Sequence, residues 1–250
     1  MQQLTDKELL RYDRQITLKG FDIDKQELLK NKSALIIGVG GLGCSASLYL
    51  ACAGMGRLTL VDFDTISESN LSRQILYTEQ ALNHKKVLVA KQRIAQHNPQ
   101  ILIETIDQQL DDNHLITQIR LHDIVVDCSD NIQTREQINR CCYQVKKPLI
   151  SGAAIRMEGI LSVFTYQDNT PCYHCLSMLF GQEQLTCVEA GVMAPLVGMM
   201  GSLQAVETIK VLTNYGKPLI GRLLMIDIMT MQFNEISFAK LVNCPVCHEK

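Results

Sequence analysis

Two Cys-x-x-Cys pairs, Cys172 with Cys175 and Cys244 with Cys247, have the spacing of the ligand pairs in a closed tetrahedral zinc site. Four thiolates leave no coordination position open, so such a metal is structural. It would pin the C-terminal tail to the middle of the chain. A second group is Asn70, Arg73, Lys85 or Lys86, and Asp130, all but the first charged. A triphosphate needs cations at its oxygens and an acid for a divalent metal that keeps several waters. Arg73 and Lys86 supply the cations, and Asp130 the metal ligand. A third feature is the turn Gly-x-Gly-x-x-Gly at Gly38, Gly40 and Gly43, with a further glycine at Gly41. Bare backbone at a helix N-terminus offers N–H groups and a favourable dipole to phosphate. Asp62 lies where an acid can hold a ribose hydroxyl. The turn alone suits NAD, FAD or ATP; the added charges favour ATP.

These groups need a scaffold that collects them. Residues 34–37 form a short apolar run suited to a buried strand, 45–52 a helix, and 57–61 a second strand closed by Asp62. Helices are expected over 5–15, 85–96, 113–120 and 132–143, and strands over 101–106, 124–127 and 148–151. Thr5 and Glu8 make a capping box for the first helix. This alternation predicts a Rossmann-like, doubly wound, mostly parallel α/β sheet with right-handed crossovers. Ligands then bind beyond the carboxyl ends of the strands, where the glycine turn, Asp62 to Asp64, and Asp130 with Asn131 all fall. From Gly159 the pattern changes to a strand over 160–166, a polar loop over 180–189, an apolar helix over 193–212, and antiparallel strands over 219–228 and 232–237. The expected organisation is one domain over 1–250. Its nucleotide-binding part covers about 30–152, and its zinc part about 153–250.

The chain has 250 residues, 46% hydrophobic and 20% charged, with a net charge of −2. That balance suits a globular protein and gives no support to a nucleic-acid partner. Residues 34–56 carry no charge and are long enough to span a membrane, but their glycines bracket two short elements instead of one helix. No membrane partner is expected. The N-terminus is charged throughout and lacks the apolar core of a signal peptide, so the expected location is cytoplasmic. Cys44, Cys52, Cys128, Cys141 and Cys142 lie in apolar or helical stretches and read as small buried residues.

Several motifs together resemble the ubiquitin-activating-enzyme-like adenylyltransferases. They are Arg-Tyr-x-Arg-Gln at 11–15, Gly-Val-Gly-Gly-Leu-Gly at 38–43, Asp-Phe-Asp at 62–64, Ser-Asn-Leu-x-Arg-Gln at 69–74, Asp130-Asn131 and the two cysteine pairs. The runs at 151–159 and 186–192 are most similar to the branch that activates the small subunit of molybdopterin synthase; the thiamine-pathway branch is the near alternative. The resemblance implies a reaction. A ubiquitin-fold sulfur carrier ending in Gly-Gly offers its C-terminal carboxylate to the α-phosphate of Mg-ATP. An acyl-adenylate and pyrophosphate result, and the adenylate later takes up sulfur. The resemblance also implies that the part over about 153–250 binds the carrier protein.

By motif position, the resemblance implies ATP contacts from Gly38, Gly40, Gly41, Gly43, Asp62, Ser69, Asn70, Leu71, Ser72, Arg73, Lys86, Asp130 and Asn131. Asp130 holds magnesium, and Arg14 reaches phosphate from the partner subunit of a homodimer. Cys187 stands alone in a polar stretch before an apolar helix, where a thiol pKa can fall. The family places a cysteine there, implying a role in acyl or sulfur transfer after adenylation. No sulfurtransferase segment follows the second cysteine pair, so a separate sulfur donor is expected, such as a cysteine desulfurase or sulfurtransferase. Two other readings compete. An NAD-dependent Rossmann oxidoreductase explains the glycine turn and Asp62 but leaves Arg73, Lys86, Asp130 and the zinc site idle. A catalytically dead scaffold leaves the intact charged set without purpose.

Overall fold

A computed structural model describes residues 2–167, 169–180 and 190–248. The chain builds one eight-stranded sheet in the order β3-β2-β1-β4-β5-β6-β7-β8. Strands β1 (Ser33–Ile37), β2 (Arg57–Val61), β3 (Leu102–Ile106), β4 (Ile124–Asp127) and β5 (Leu149–Ile155) pair in parallel. Strands β6 (Glu158–Phe164), β7 (Arg222–Asp227) and β8 (Gln232–Ser237) continue the sheet antiparallel. The expected parallel sheet with an antiparallel extension is therefore present. Every residue of β1 and β4 is buried, because helices cover both faces.

One face carries α4 (Gly41–Cys52), α5 (Lys86–His97) and α9 (Ala194–Thr213), whose apolar residues share a core with Ile36, Leu58 and Val126. The other carries α6 (Asp112–Arg120), α7 (Ile132–Val145) and α8 (Tyr173–Ser177), packed on Leu35, Val125 and the paired cysteines. Strand order reverses between β1 and β4, each of which leads to a helix on a different face. That creates a crevice at their carboxyl ends. The uncharged stretch at 34–56 is most of β1, all of α4 and the turn before β2, and no helix among the described residues is long and apolar enough to cross a membrane.

Some boundaries differ from expectation. The N-terminal helix is two, α1 (Asp6–Arg11) and α2 (Asp13–Ile16), because the buried Tyr12 turns the chain between them. The Thr5–Glu8 capping box is formed. A further helix, α3 (Asp22–Lys30), was not expected. Strand β6 begins and ends two residues early: a tight turn at Arg156 and Met157 reverses the chain from β5, and Tyr166 takes a left-handed φ of 57° beyond the end. Cys52 corrects a sequence expectation: it is exposed, because it lies with Tyr49 on the outer side of α4 while Leu50 and Ala51 of the same turn face the core. Cys44, Cys128, Cys141 and Cys142 are buried as expected.

Candidate active site and metal centre

The crevice begins with the turn from β1 to α4. Gly38 has φ of 89°, and a Cβ there would come within 2.8 Å of the Cys128 carbonyl oxygen. A Cβ on Gly43 would lie 2.0 Å from the Gly38 carbonyl oxygen, so only glycine lets the helix start this close to the strand. The turn is tied at both groups of Val39. Its N–H donates to Asp62 Oδ2 at 2.7 Å, and its carbonyl accepts from the Tyr77 hydroxyl at 2.7 Å. Burial pushes the Tyr77 hydroxyl well above its ordinary pKa, which keeps it a donor. Burial likewise raises the adjacent Cys44 thiol to about 12. The result is a rigid loop whose following helix presents unpaired N–H groups to the crevice.

Gly38, Gly40, Gly41, Asp62, Arg73, Lys86, Asp130 and Asn131 all line this cleft. Lys86 is the first residue of α5, and its ammonium lies 2.7 Å from Asp64 Oδ2. Lys85 turns outward to the Phe63 carbonyl at 2.8 Å and does not line the cleft. Arg73 is steadied by the Ser69 carbonyl, which accepts from its Nη1 at 2.9 Å. Asp62 already accepts from Val39 and from the Asp64 N–H at 2.9 Å, leaving lone pairs for a hydroxyl. Asp130 is exposed at the cleft, and Asn131 caps α7 by accepting from the Thr134 N–H at 2.8 Å.

Other named residues stand apart. Gly43 serves the turn and does not line the cleft. Ser69, Asn70, Leu71 and Ser72 lie in the segment that carries Arg73 but outside the lining, and Asn70 Oδ1 accepts from the Ser67 N–H at 3.1 Å. The side chain of Arg14 is 97% exposed on α2, away from the cleft, with Asp13 at 3.8 Å. Cys187 lies outside the described residues.

Sequence reasoning missed several buried polar residues, some lining the cleft and one, Asp127, lying behind it. Asp127 is fully buried at the end of β4, and burial raises its carboxyl pKa, opposed by nearby Arg135 and by Ser129. It accepts from the Ser129 N–H at 3.0 Å and hydroxyl at 2.6 Å, while Arg135 Nη2 donates to the Ser129 carbonyl at 2.7 Å. The residue before Asp130 is thus clamped at both backbone groups. Arg135 and Gln74 are both buried and line the cleft. Neither carries a sequence signal of its own, since a helical arginine or a glutamine beside an arginine is usually solvated.

The cysteine pairs converge. The Sγ atoms of Cys172, Cys175, Cys244 and Cys247 all lie within 4.8 Å of one another, and all four residues are buried. Neighbouring separations are 3.9, 3.7 and 3.5 Å. A tetrahedral zinc ion with ordinary Zn–S bonds sets its sulfurs about 3.8 Å apart, so the cluster could hold one. Leu241 N–H points at Cys175 Sγ and Cys247 N–H at Cys244 Sγ, each at 3.4 Å, a donor set that favours thiolates. Hydrogen bonding from Cys172 lowers the Cys175 thiol pKa.

Comparison with known proteins places this geometry in context. A model of the ThiF family matches residues 12–246. The molybdopterin-synthase adenylyltransferase of Escherichia coli (strain K12) is 55% identical over 247 residues, covering 99% of each chain. That of Haemophilus influenzae is 57% identical over 236 residues, covering 94% of this chain and 97% of its own. The sulfur carrier protein ThiS adenylyltransferase of E. coli is 40% identical over 244 residues, covering 98% of this chain and 97% of its own. Among solved structures, E. coli MccB superposes with a TM-score of 0.83 at 24% identity, over 96% of this chain and 72% of its own, a likeness of fold.

Proposed function

The chain belongs to the ThiF family, and from that premise we propose that it adenylates the C-terminal glycine of a small ubiquitin-fold sulfur carrier. The carrier is the small subunit of molybdopterin synthase, and the reaction serves molybdenum cofactor biosynthesis. Identity of 55% to the molybdopterin-synthase enzyme against 40% to the ThiS enzyme favours this carrier over the thiamine-pathway one. The observation that carries the reading is that Arg73, Lys86 and Asp130 line one cleft with the N-terminus of α4. A hydride-transferring oxidoreductase has no use for that set.

In the proposed reaction a carboxylate oxygen of the carrier attacks the α-phosphorus of ATP. The new O–P bond forms as the bond to the bridging oxygen of the β-phosphate breaks. Pyrophosphate leaves with that bond's electrons, and no proton need move. Negative charge grows on the α-phosphate and on the leaving group. The free N–H groups of α4, Arg73 and Lys86 are fixed beforehand around that charge, which is where preorganised donors lower a barrier. Asp62 orients the ribose. Asp130 would hold magnesium through a single carboxylate, in keeping with that ion's reluctance to shed water. Once bound, the ion would neutralise phosphate charge. The clamp on Ser129 keeps Asp130 aimed at the cleft.

Arg14 would reach the cleft of a second copy in a homodimer. The paired cysteines would hold zinc and fasten the tail. The adenylate must then meet a sulfur donor of the cysteine desulfurase or sulfurtransferase class, with Cys187 acting at that later stage. A reducing cytoplasm suits thiols kept for metal and transfer. The test is carrier-dependent ATP–pyrophosphate exchange with Asp130→Ala beside the wild type. Asp130 is exposed, so the variant should fold normally and lose magnesium-dependent exchange. Normal exchange in it, or none in the wild type with any Gly-Gly carrier, would overturn the reading.

A further inference from the structure

Among the described residues, three buried side-chain polar atoms lack a hydrogen-bond partner: Gln74 Oε1, Arg135 Nε and Thr165 Oγ1. Thr165 lies away from the cleft; Gln74 and Arg135 line it. Arg135 already has a task, since its Nη2 holds the Ser129 carbonyl. Gln74 is only 4% exposed, and its amide oxygen has no counterpart among the described residues. A buried acceptor left unpaired destabilises the free protein. Such a group in a binding cleft is explained when the ligand brings the missing donor.

The position of Gln74 narrows what that donor is. It follows Arg73 directly, and its Nε2 lies 3.6 Å from where a Cβ on Gly40 would sit. The side chain therefore packs beside the bare backbone that opens α4. Phosphate oxygens held there are acceptors and would offer Oε1 nothing. The magnesium ligand Asp130 follows β4, whereas Gln74 belongs to the connection from β2 to α5. Resting on the adenylation reading above, the group that must come against the α-phosphate is a peptide C-terminus. Its last backbone N–H is a donor one carbon away from the reacting carboxylate.

We propose that Gln74 Oε1 accepts a hydrogen bond from the backbone N–H of the carrier's C-terminal residue. The contact holds the terminal carboxylate in line with the α-phosphate and admits a peptide acid in preference to one lacking the N–H. Gln74 is thus a substrate-binding residue specific to the acyl partner, not to the nucleotide.

The experiment crosses an enzyme variant with a substrate variant in pyrophosphate exchange. The enzyme carries Gln74→Met, which keeps length and removes the amide. A semisynthetic carrier replaces the terminal glycine by glycolate, an ester without that N–H. Each single change should lower kcat/KM for the carrier about tenfold, the size of one lost hydrogen bond to a buried acceptor. Together they should lower it little further, since both delete the same bond. Binding of a non-hydrolysable ATP analogue without carrier should stay within twofold. Additive losses would overturn the proposal, as would a fall in nucleotide affinity with carrier kcat/KM unchanged. If Gln74→Met does not fold, the ester carrier on the wild-type enzyme decides: an unchanged rate overturns the proposal, and a tenfold loss supports it. Absence of exchange by wild-type enzyme with the natural carrier would instead remove the adenylation reading.

Discussion

Lys86 Nζ sits 2.7 Å from Asp64 Oδ2, with the lysine side chain 7% exposed and the aspartate 52%. A cation at the first position of α5 is at the wrong end of the helix dipole. Helix stability does not explain it; a cation needed in the cleft does. Asp64 holds the ammonium in the free protein; under the proposed function the nucleotide's phosphates would take it over.

Lys86→Met should therefore cut pyrophosphate exchange by about 10²–10³, the usual cost of one preorganised charge-stabilising group. Asp64→Asn should cost far less, because it removes only the resting partner. Steady-state exchange at saturating ATP measures both. Equal losses would show that the pair acts as a unit.

Among the described residues Arg14 has no partner in the cleft of its own chain, and its side chain projects into solvent. If it serves a second copy, Arg14→Ala and Asp130→Ala chains should each be inactive alone. Mixed and re-equilibrated, they should regain up to about a quarter of wild-type activity, since a random mixture is half heterodimer with one intact site in each. Heterodimers that form without any rescue would argue against sharing.

The cysteine cluster joins distant parts of the chain. Asn139 Nδ2 approaches Cys172 Sγ at 3.7 Å, and the Tyr143 hydroxyl reaches the Cys247 carbonyl at 3.5 Å, so the tail rests on α7. Loss of a structural metal is loss of folding energy. Cys175→Ser should abolish bound zinc, and a cost of about 3 kcal/mol would lower Tm by roughly 6–12 °C. Exchange by the still-folded fraction should remain close to wild type. Metal analysis with thermal melts separates that from a catalytic role.

The parallel core was legible because strands covered on both faces read as unbroken apolar runs, as in β1 and β4. Glycine spacing marked the phosphate-type turn, and cysteine spacing marked the cluster. Helix α3 escaped because its sequence, Asp-Ile-Asp-Lys-Gln-Glu-Leu-Leu-Lys, has too few apolar residues to show a period, and its N-cap Phe21 makes no side-chain cap. The burial of Gln74, Asp127 and Arg135 was not legible. Nothing local to a polar residue says that tertiary packing will close over it. The same holds for Ser69 to Ser72: the motif named the segment, but only the fold shows that Arg73 is its one residue before Gln74 to line the cleft.

His122 gives a prediction independent of the cleft. It is 3% exposed in the connection from α6 to β4, with Nδ1 2.7 Å from the Gln118 carbonyl and Nε2 2.7 Å from Thr59 Oγ1. A carbonyl only accepts, so Nδ1 carries the proton; in the neutral ring Nε2 accepts from the Thr59 hydroxyl, at 2.7 Å the nearer of two acceptors for that proton, the other being Glu104 Oε2 at 3.2 Å. Burial lowers the His122 pKa and nearby Arg57 pushes the same way, while the Gln118 carbonyl, Glu104 and Asp123 oppose them. Protons therefore bind the unfolded chain first. Between the ordinary histidine pKa of about 6.5 and the lower folded value, the unfolded state holds more protons, and stability falls as pH falls. Above pH of about 7 the contribution is fully present. His122→Gln keeps a donor and an acceptor but cannot titrate. Its melting temperature should start lower at pH 8, because the ring no longer fills the site, and should change less than wild type from pH 7 to pH 5. Parallel slopes in the two proteins would assign the acid sensitivity to other groups.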